Sequence, residues 1–162
     1  MNTLPDECVQ SLIAFASASL EGKSQRSISN LCNFRCGLFE GKKKYHLFRE
    51  TAFLNLFVIH AVCRAMNVPS EKINAVFNYI YRLKFQGKEN MNTWFSDLLK
   101  RIDAYVETGT EKEIGGGIAI AGLFLLNLKS LDKTLPGFEQ ISVAEYVSKL
   151  FAVLTQTMEK YR

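Results

Sequence analysis

Along most of this chain apolar residues recur at steps of three and four, the spacing that gathers them on one face of an α-helix, and no stretch alternates as a strand would. Val9, Leu12/Ile13, Ala16 and Leu20 form the first such stripe. Thr3 is placed to cap it, with Pro5 in its first turn and Asp6 where a carboxylate favours the helix dipole, and Gly22 is expected to end it. A serine-rich connection (Ser24, Ser27, Ser29) then leads to a second helix expected over Ile28 to Phe39, interrupted at Gly41. From Lys42 to Asn67 runs the longest helical candidate. Its first third is charged, whereas Ala52 to Cys63 contains only Asn55 and His60 as polar residues. A helix apolar on nearly every side has to be surrounded by protein, so this one is expected at the centre of the fold.

Asn67 and Pro69 stop that helix, and Ser70 is placed to cap the next. Its inner stripe reads Ile73, Val76/Phe77, Ile80 and Leu83/Lys84, with Tyr81 and Phe85 beside the stripe as a wider aromatic surface. Gly87 breaks the chain, and Asn90 or Asn92 can cap a fifth helix carrying Trp94/Phe95, Leu98/Leu99, Ile102 and Tyr105/Val106. Gly109 is expected to end it. A glycine-rich helix follows over Gly116–Lys129, then a loop from Leu131 to Gln140 with the turn signal Pro136-Gly137. In the last helix Ser142 and Glu145 have capping-box spacing, with Ile141 and Tyr146 as the hydrophobic staple. Val143, Val147, Leu150, Leu154, Met158 and Tyr161 line one face of it. The expectation is an all-α fold: a compact bundle of six or seven helices around an apolar central helix, built as a single domain over 1–162.

Composition narrows this further. With 162 residues, 48% of them hydrophobic, the chain can bury a core without disulfide or metal staples. The net charge of +4 is unevenly distributed. Residues 1–22 carry −3, whereas residues 23–50 carry +5, from seven cations (Lys23, Arg26, Arg35, Lys42, Lys43, Lys44, Arg49) against Glu40 and Glu50. A local basic excess is the kind that meets an acidic partner. Four cysteines are too sparse for a disulfide scaffold, and no cation precedes Lys23 to begin a secretory leader, so a cytoplasmic protein with reduced thiols is expected. The longest uncharged stretch, Ile114 to Leu128, has 15 residues, short of the ~20 that cross a bilayer, so no membrane span is expected.

Few residues are arranged for chemistry. The cluster from Gly115 to Gly122 has Ile120 where a dinucleotide fingerprint needs glycine, and Leu123-Phe124 where a phosphate loop needs lysine and a hydroxyl. Its glycines and alanines read instead as small residues that let another helix approach. Cys32 and Cys36 lie four apart and His60 and Cys63 three apart, so two facing helices would offer three thiolates and an imidazole. Those ligand types suit structural zinc, the one cofactor entertained; otherwise the cysteines are small buried hydrophobes. A radical-type iron–sulfur spacing fails at Phe39. His46 and Glu50 read as a helical surface pair, and Asp97 and Asp103 lie on different faces of their helix. No nucleophile elbow or His-Glu-x-x-His motif occurs, so the catalytic residues, if there are any, are unknown.

Three functional expectations follow. The first is a non-catalytic protein–protein interaction module, an adaptor, regulator or inhibitor-type partner, whose partner is another protein or a second copy of the chain. Aromatic residues are abundant (12 Phe, 6 Tyr, 1 Trp), and Tyr79, Tyr81 and Phe85 ring one helix widely enough to reach the surface. The expected partner or anion contacts are Arg35, Lys42, Lys43, Lys44, Arg49, Tyr81 and Phe85. The second is a small-molecule-binding protein or enzyme with an interhelical pocket near His60 and Asn55. The third, nucleic-acid or anion binding through residues 23–50, is disfavoured by the absence of a recognisable nucleic-acid motif and by the mild pI of about 8.9.

Overall fold

The computed structural model describes residues 6–34, 38, 40–110, 116–129 and 139–161, and its contents are helical with no strand among those residues. Seven α-helices follow in order: α1 (Glu7–Ala18), α2 (Gly22–Leu31), α3 (Gly41–Ala65), α4 (Ser70–Ile80), α5 (Met91–Thr110), α6 (Gly116–Lys129) and α7 (Glu139–Glu159), with a π-helical turn at Tyr81–Phe85 continuing α4. The all-α bundle expected from the periodicity is the fold observed. α3 is its axis: it packs against every other helix, and residues 51–59 are buried without a break. All of that run but Thr51 falls within the apolar segment whose lack of a polar face predicted it. No described helix is long and apolar enough to cross a membrane.

The helix ends show where local sequence was a sufficient guide and where it was not. Asp6, not Thr3, caps α1: its Oδ1 accepts a hydrogen bond from the Val9 amide at 2.9 Å. Thr3 and Pro5 lie outside the described residues. Asn90 caps α5 as expected, its Oδ1 accepting from the amides of Asn92 and Thr93 at 3.0 and 3.2 Å. The capping box at Ser142 and Glu145 does not form. α7 is already helical at Glu139, which places Ser142 inside the helix, and the staple residue Ile141 is exposed.

The largest shift concerns the second helix. The serine-rich stretch is itself helical, as α2, and α2 stops at Leu31 instead of continuing to Phe39. Its first turn satisfies orphaned carbonyls at the end of α1: Ser24 Oγ donates to the Ala18 carbonyl at 2.9 Å and Gln25 Nε2 to that of Ser19 at 3.0 Å. Asn33, at φ 49°, ends the helix. The Phe34 amide bonds back to the Ser29 carbonyl and the Asn33 amide to that of Asn30, the paired bonds of a Schellman motif. α3 closes the same way at Asn67 (φ 57°), with Val68 N bonded to Cys63 O at 2.8 Å and Asn67 N to Arg64 O at 3.2 Å. Since glycine adopts this conformation without a Cβ penalty, Asn67→Gly is expected to leave the thermal midpoint unchanged or slightly raised. Asn67→Val should lower stability by about 1–2 kcal/mol. Thermal melts of the two variants side by side check the motif.

The π-helical turn changes which residues face inward. The Gln86 amide reaches back five residues to the Tyr81 carbonyl at 2.9 Å, which advances the register by one position. The expected inner pair Leu83/Lys84 therefore turns outward, with Leu83 52% exposed, and Tyr81 and Phe85 take its place at 6% and 0%. Burying two aromatic rings in place of a leucine and a lysine avoids desolvating an ammonium and gains aromatic area. Both rings pack on Trp94, at centroid separations of 5.4 Å for Tyr81 and 5.1 Å for Phe85. Phe53 meets the same indole edge-on at 5.5 Å and Phe95 at 5.0 Å.

Elsewhere in the bundle the small residues of α6 admit α7. A Cβ at Gly117 would lie 3.4 Å from Ser148 Oγ and 3.9 Å from the Ala144 carbonyl, so the two backbones run close together there. Ala121 is completely buried. Gly115 lies outside the described residues.

Candidate functional site

The charged residues of α3 divide into two groups with different uses. Arg49 and Glu50 are held inside the protein. Arg49 Nε contacts both carboxylate oxygens of Glu89 at 2.8 and 3.0 Å, its Nη2 reaches Asp97 Oδ2 at 2.7 Å, and its guanidinium lies 4.5 Å above the Phe53 ring. Burial would favour the neutral form of Arg49, but Glu89 and Asp97 outweigh it and raise its pKa further. Arg49, expected among the partner contacts from its place in the basic segment, is thus engaged within the chain as a cross-link between α3, α5 and the turn before α5. Glu50 is completely buried and takes a bidentate pair from Arg101, at 3.0 Å from Nε and 3.1 Å from Nη2. It is no surface pair with His46, whose Nε2 lies 2.9 Å from the Asn127 carbonyl of α6.

The lysines at the start of α3 stay at the surface. Lys42 and Lys44 are exposed, and Lys43 pairs with Glu40 at 3.1 Å. These three cations sit in the first helical turn, where the dipole disfavours them. Lys44 borders a cleft of about 510 Å³ between α2 and α3. The floor is apolar: Leu20 and Leu47 are buried, and Phe48 is half-buried. Gly22, Gln25 and Ser29 of α2 form one wall, and Tyr45 stands on the other. Arg26, Lys44 and Lys88, all exposed, make the rim. None of the three makes an ion pair among the described residues, and no carboxylate lines the cleft.

The aromatic core supports this floor. Phe48 lies 5.4 Å from the Phe85 ring and Tyr45 lies 6.4 Å from it, centroid to centroid, while Lys88 Nζ sits 5.7 Å above Phe48. Tyr45 donates its hydroxyl to Glu89 Oε1, and Tyr81 donates to the Glu89 carbonyl at 2.7 Å. Burial, followed by the Glu89 carboxylate, raises the Tyr45 pKa, so the phenol stays protonated. Lys88 follows Gly87, whose φ of 82° is a backbone conformation that side chains disfavour. Tyr81 and Phe85, expected among the partner contacts, are buried beneath the surface in this structure. Arg35 lies outside the described residues.

The described thiols are shielded from solvent. Cys32, Cys63 and Cys8 are buried and free. Burial pushes the thiols of Cys32 and Cys63 up to about 12. The charged groups each senses differ: Glu139 for Cys32, Cys8 for Cys63. Cys36 lies outside the described residues, and among those described no group of three or more His, Cys, Asp or Glu side chains is gathered for a metal. His60 is half-buried and Asn55 buried, and neither lines any of the three principal clefts. Asn55 Nδ2 donates to the Thr51 carbonyl one turn back at 2.7 Å.

His60 makes stability depend on pH. Desolvation lowers its pKa, and Arg64 adds to that effect against the opposing charge of Asp103. The unfolded chain therefore takes up a proton at His60, near its ordinary value of about 6.5, before the folded chain does. Stability from this group is complete above that value and falls as the pH drops from there to the lower folded pKa. Urea midpoints between pH 7.5 and 5 should show the decline, and His60→Gln should flatten it.

Compared with known protein families, with curated proteins and with solved structures, the chain matches none. Two further clefts open elsewhere on the surface. One of about 600 Å³ lies between α1, α2 and α7, over Ala14, Phe15, Tyr146 and Leu150, with Lys23 the one cation among its described lining residues. The other, of about 380 Å³, is bordered by Cys8, Met66 and Met158 and spanned by the Lys72–Asp6 ion pair at 2.8 Å.

The rim residues Arg26 and Lys44 belong to the segment whose charge excess was visible in the sequence. Lys88 lies 44 positions beyond Lys44 and carried no such signal. The apolar floor could not be inferred either, because Leu20 belonged to a stripe that predicts core.

Proposed function

We propose that this chain is a non-catalytic protein–protein interaction module that docks its partner at the cleft between α2 and α3. The observation that carries the proposal is the combination of an apolar floor with three exposed cations that make no ion pair among the described residues. Isolated apolar or charged residues are common on surfaces, whereas a concave apolar floor with a cationic rim is a recognition surface. Ligand pockets for small molecules enclose most of their ligand. This cleft is rimmed by long, exposed side chains on one open side, which suits a partner that supplies its own cover.

The test is affinity capture from native extract with the wild-type chain and with a Lys44→Glu/Lys88→Glu variant of matched thermal stability. One protein in stoichiometric yield, lost with the variant, supports the proposal. A retained small molecule in its place favours a ligand-binding protein, and capture indifferent to the two substitutions moves docking away from this cleft.

A further inference from the structure

Resting on that interaction reading, the geometry points to the chemistry of the partner: we infer that the cleft takes a short acidic segment of another protein, with one bulky apolar side chain on Leu20, Leu47 and Phe48 and carboxylates on Arg26, Lys44 and Lys88. The length of the trough limits the segment. The α2 wall extends from Gly22 to Ser29, eight residues, or about 10 Å at the helical rise. About two turns of a helix or three extended residues span that distance, so one anchor fits better than the row of anchors a long groove receives.

The charge argument comes from how the neighbouring acids are occupied. Glu89 is engaged by Arg49 and Tyr45, Glu50 by Arg101, and Glu40 by Lys43. The exposed Glu21 precedes Gly22 in sequence but does not line the cleft. The three rim cations therefore set the sign of the potential over an apolar surface, where electrostatic complementarity selects partners and speeds encounter. The floor is also preorganised: Phe48 and Tyr45 are backed by Phe85, which is fixed on Trp94, so little side-chain freedom is lost on docking. A membrane or nucleic acid would need a wider cationic face than three side chains around a concavity.

Panning a displayed random dodecapeptide library on the folded wild-type chain, with counter-selection on the Lys44→Glu/Lys88→Glu variant, tests this directly. The expected result is enrichment of peptides with acidic residues around a single leucine, phenylalanine or tryptophan. Synthetic versions should bind more weakly as salt rises, lose at least about tenfold in affinity on the double variant, and lose binding when the anchor becomes alanine. Arg26→Glu, on a different helix, should weaken them as well. Cleft-dependent peptides without acidic character would overturn the acidic segment while leaving the interaction module standing. Failure to enrich any cleft-dependent peptide, with capture from extract still dependent on Lys44 and Lys88, would also overturn it; a longer folded surface would then be the partner. Tighter binding of a single-stranded oligonucleotide or of anionic vesicles than of any selected peptide would overturn the inference in favour of those ligands.

Discussion

Replacing Arg101 by methionine is expected to lower unfolding free energy by about 3 kcal/mol, because it leaves the Glu50 carboxylate buried in the middle of α3 without its counter-ion. Arg101 supplies both hydrogen bonds to that carboxylate, and among the described residues no other group donates to it. Breaking a buried pair on one side costs about 3–5 kcal/mol in general. The lower end applies here since Arg101 itself is 32% exposed, so water can approach where the guanidinium stood. Arg101→Lys should fall in between, since an ammonium cannot reproduce the parallel pair of donors. The decisive comparison is the double variant Glu50→Leu/Arg101→Met. With both charges gone, no desolvated carboxylate remains, and stability should return to within about 1 kcal/mol of the wild type. Urea unfolding with an unchanged slope measures all three. A double variant as unstable as Arg101→Met alone would show that packing around the pair, and not the stranded charge, sets its worth.

Trp94→Ala is expected to cost about 3–5 kcal/mol, enough to remove much of the stability of a typical domain. The indole is fully buried and meets four aromatic rings, Phe53, Tyr81, Phe85 and Phe95, from α3, the π-helical turn and α5. Those rings are held by long-range contacts from different elements, so they cannot collapse together into the vacated volume. Trp94→Phe should cost far less. It keeps a ring in the site, and it removes a buried indole N–H that has no acceptor among the described residues. The same substitutions carry a functional consequence, because Phe85 backs the floor of the cleft through Phe48. At temperatures where Trp94→Phe remains folded, selected peptides should bind it with lower affinity than they bind the wild type. As Trp94 is the one tryptophan of the chain, the wild-type melt can be followed by its emission.

Much of the architecture was legible because helix formation here is governed by local periodicity. α5 and α6 begin and end within one or two residues of where the apolar spacing and the asparagine and glycine signals place them. α3 was identifiable as the axis because a stretch such as Ala52–Cys63, with two polar residues, has no face to offer water. The discrepancies share a cause. α2 begins in a serine-rich stretch because Ser24 and Gln25 bond to carbonyls at the end of α1, a partner no single-helix pattern contains. It ends early because Asn33 adopts a left-handed conformation and the Asn33 and Phe34 amides bond back to the last turn. Tyr81 and Phe85 face inward because one extra residue in a turn shifts the register, and Trp94 rewards the shift.

The candidate site was legible in sign but not in shape. The excess of cations in residues 23–50 is a property of the sequence and needs no structure. Which of those cations remain available is decided by the acids the fold brings to them. Arg49 meets Glu89 and Asp97, Lys43 meets Glu40, and Lys44 meets no acid among the described residues while Lys88 joins it at the cleft from a distant turn. Helical class, central helix and local charge excess were thus determined by the sequence alone, because each depends on residues within a few turns of one another. The buried Glu50–Arg101 pair, the inward aromatics and the cationic cleft were decided only by the tertiary structure, because each joins side chains whose proximity depends on how the helices pack.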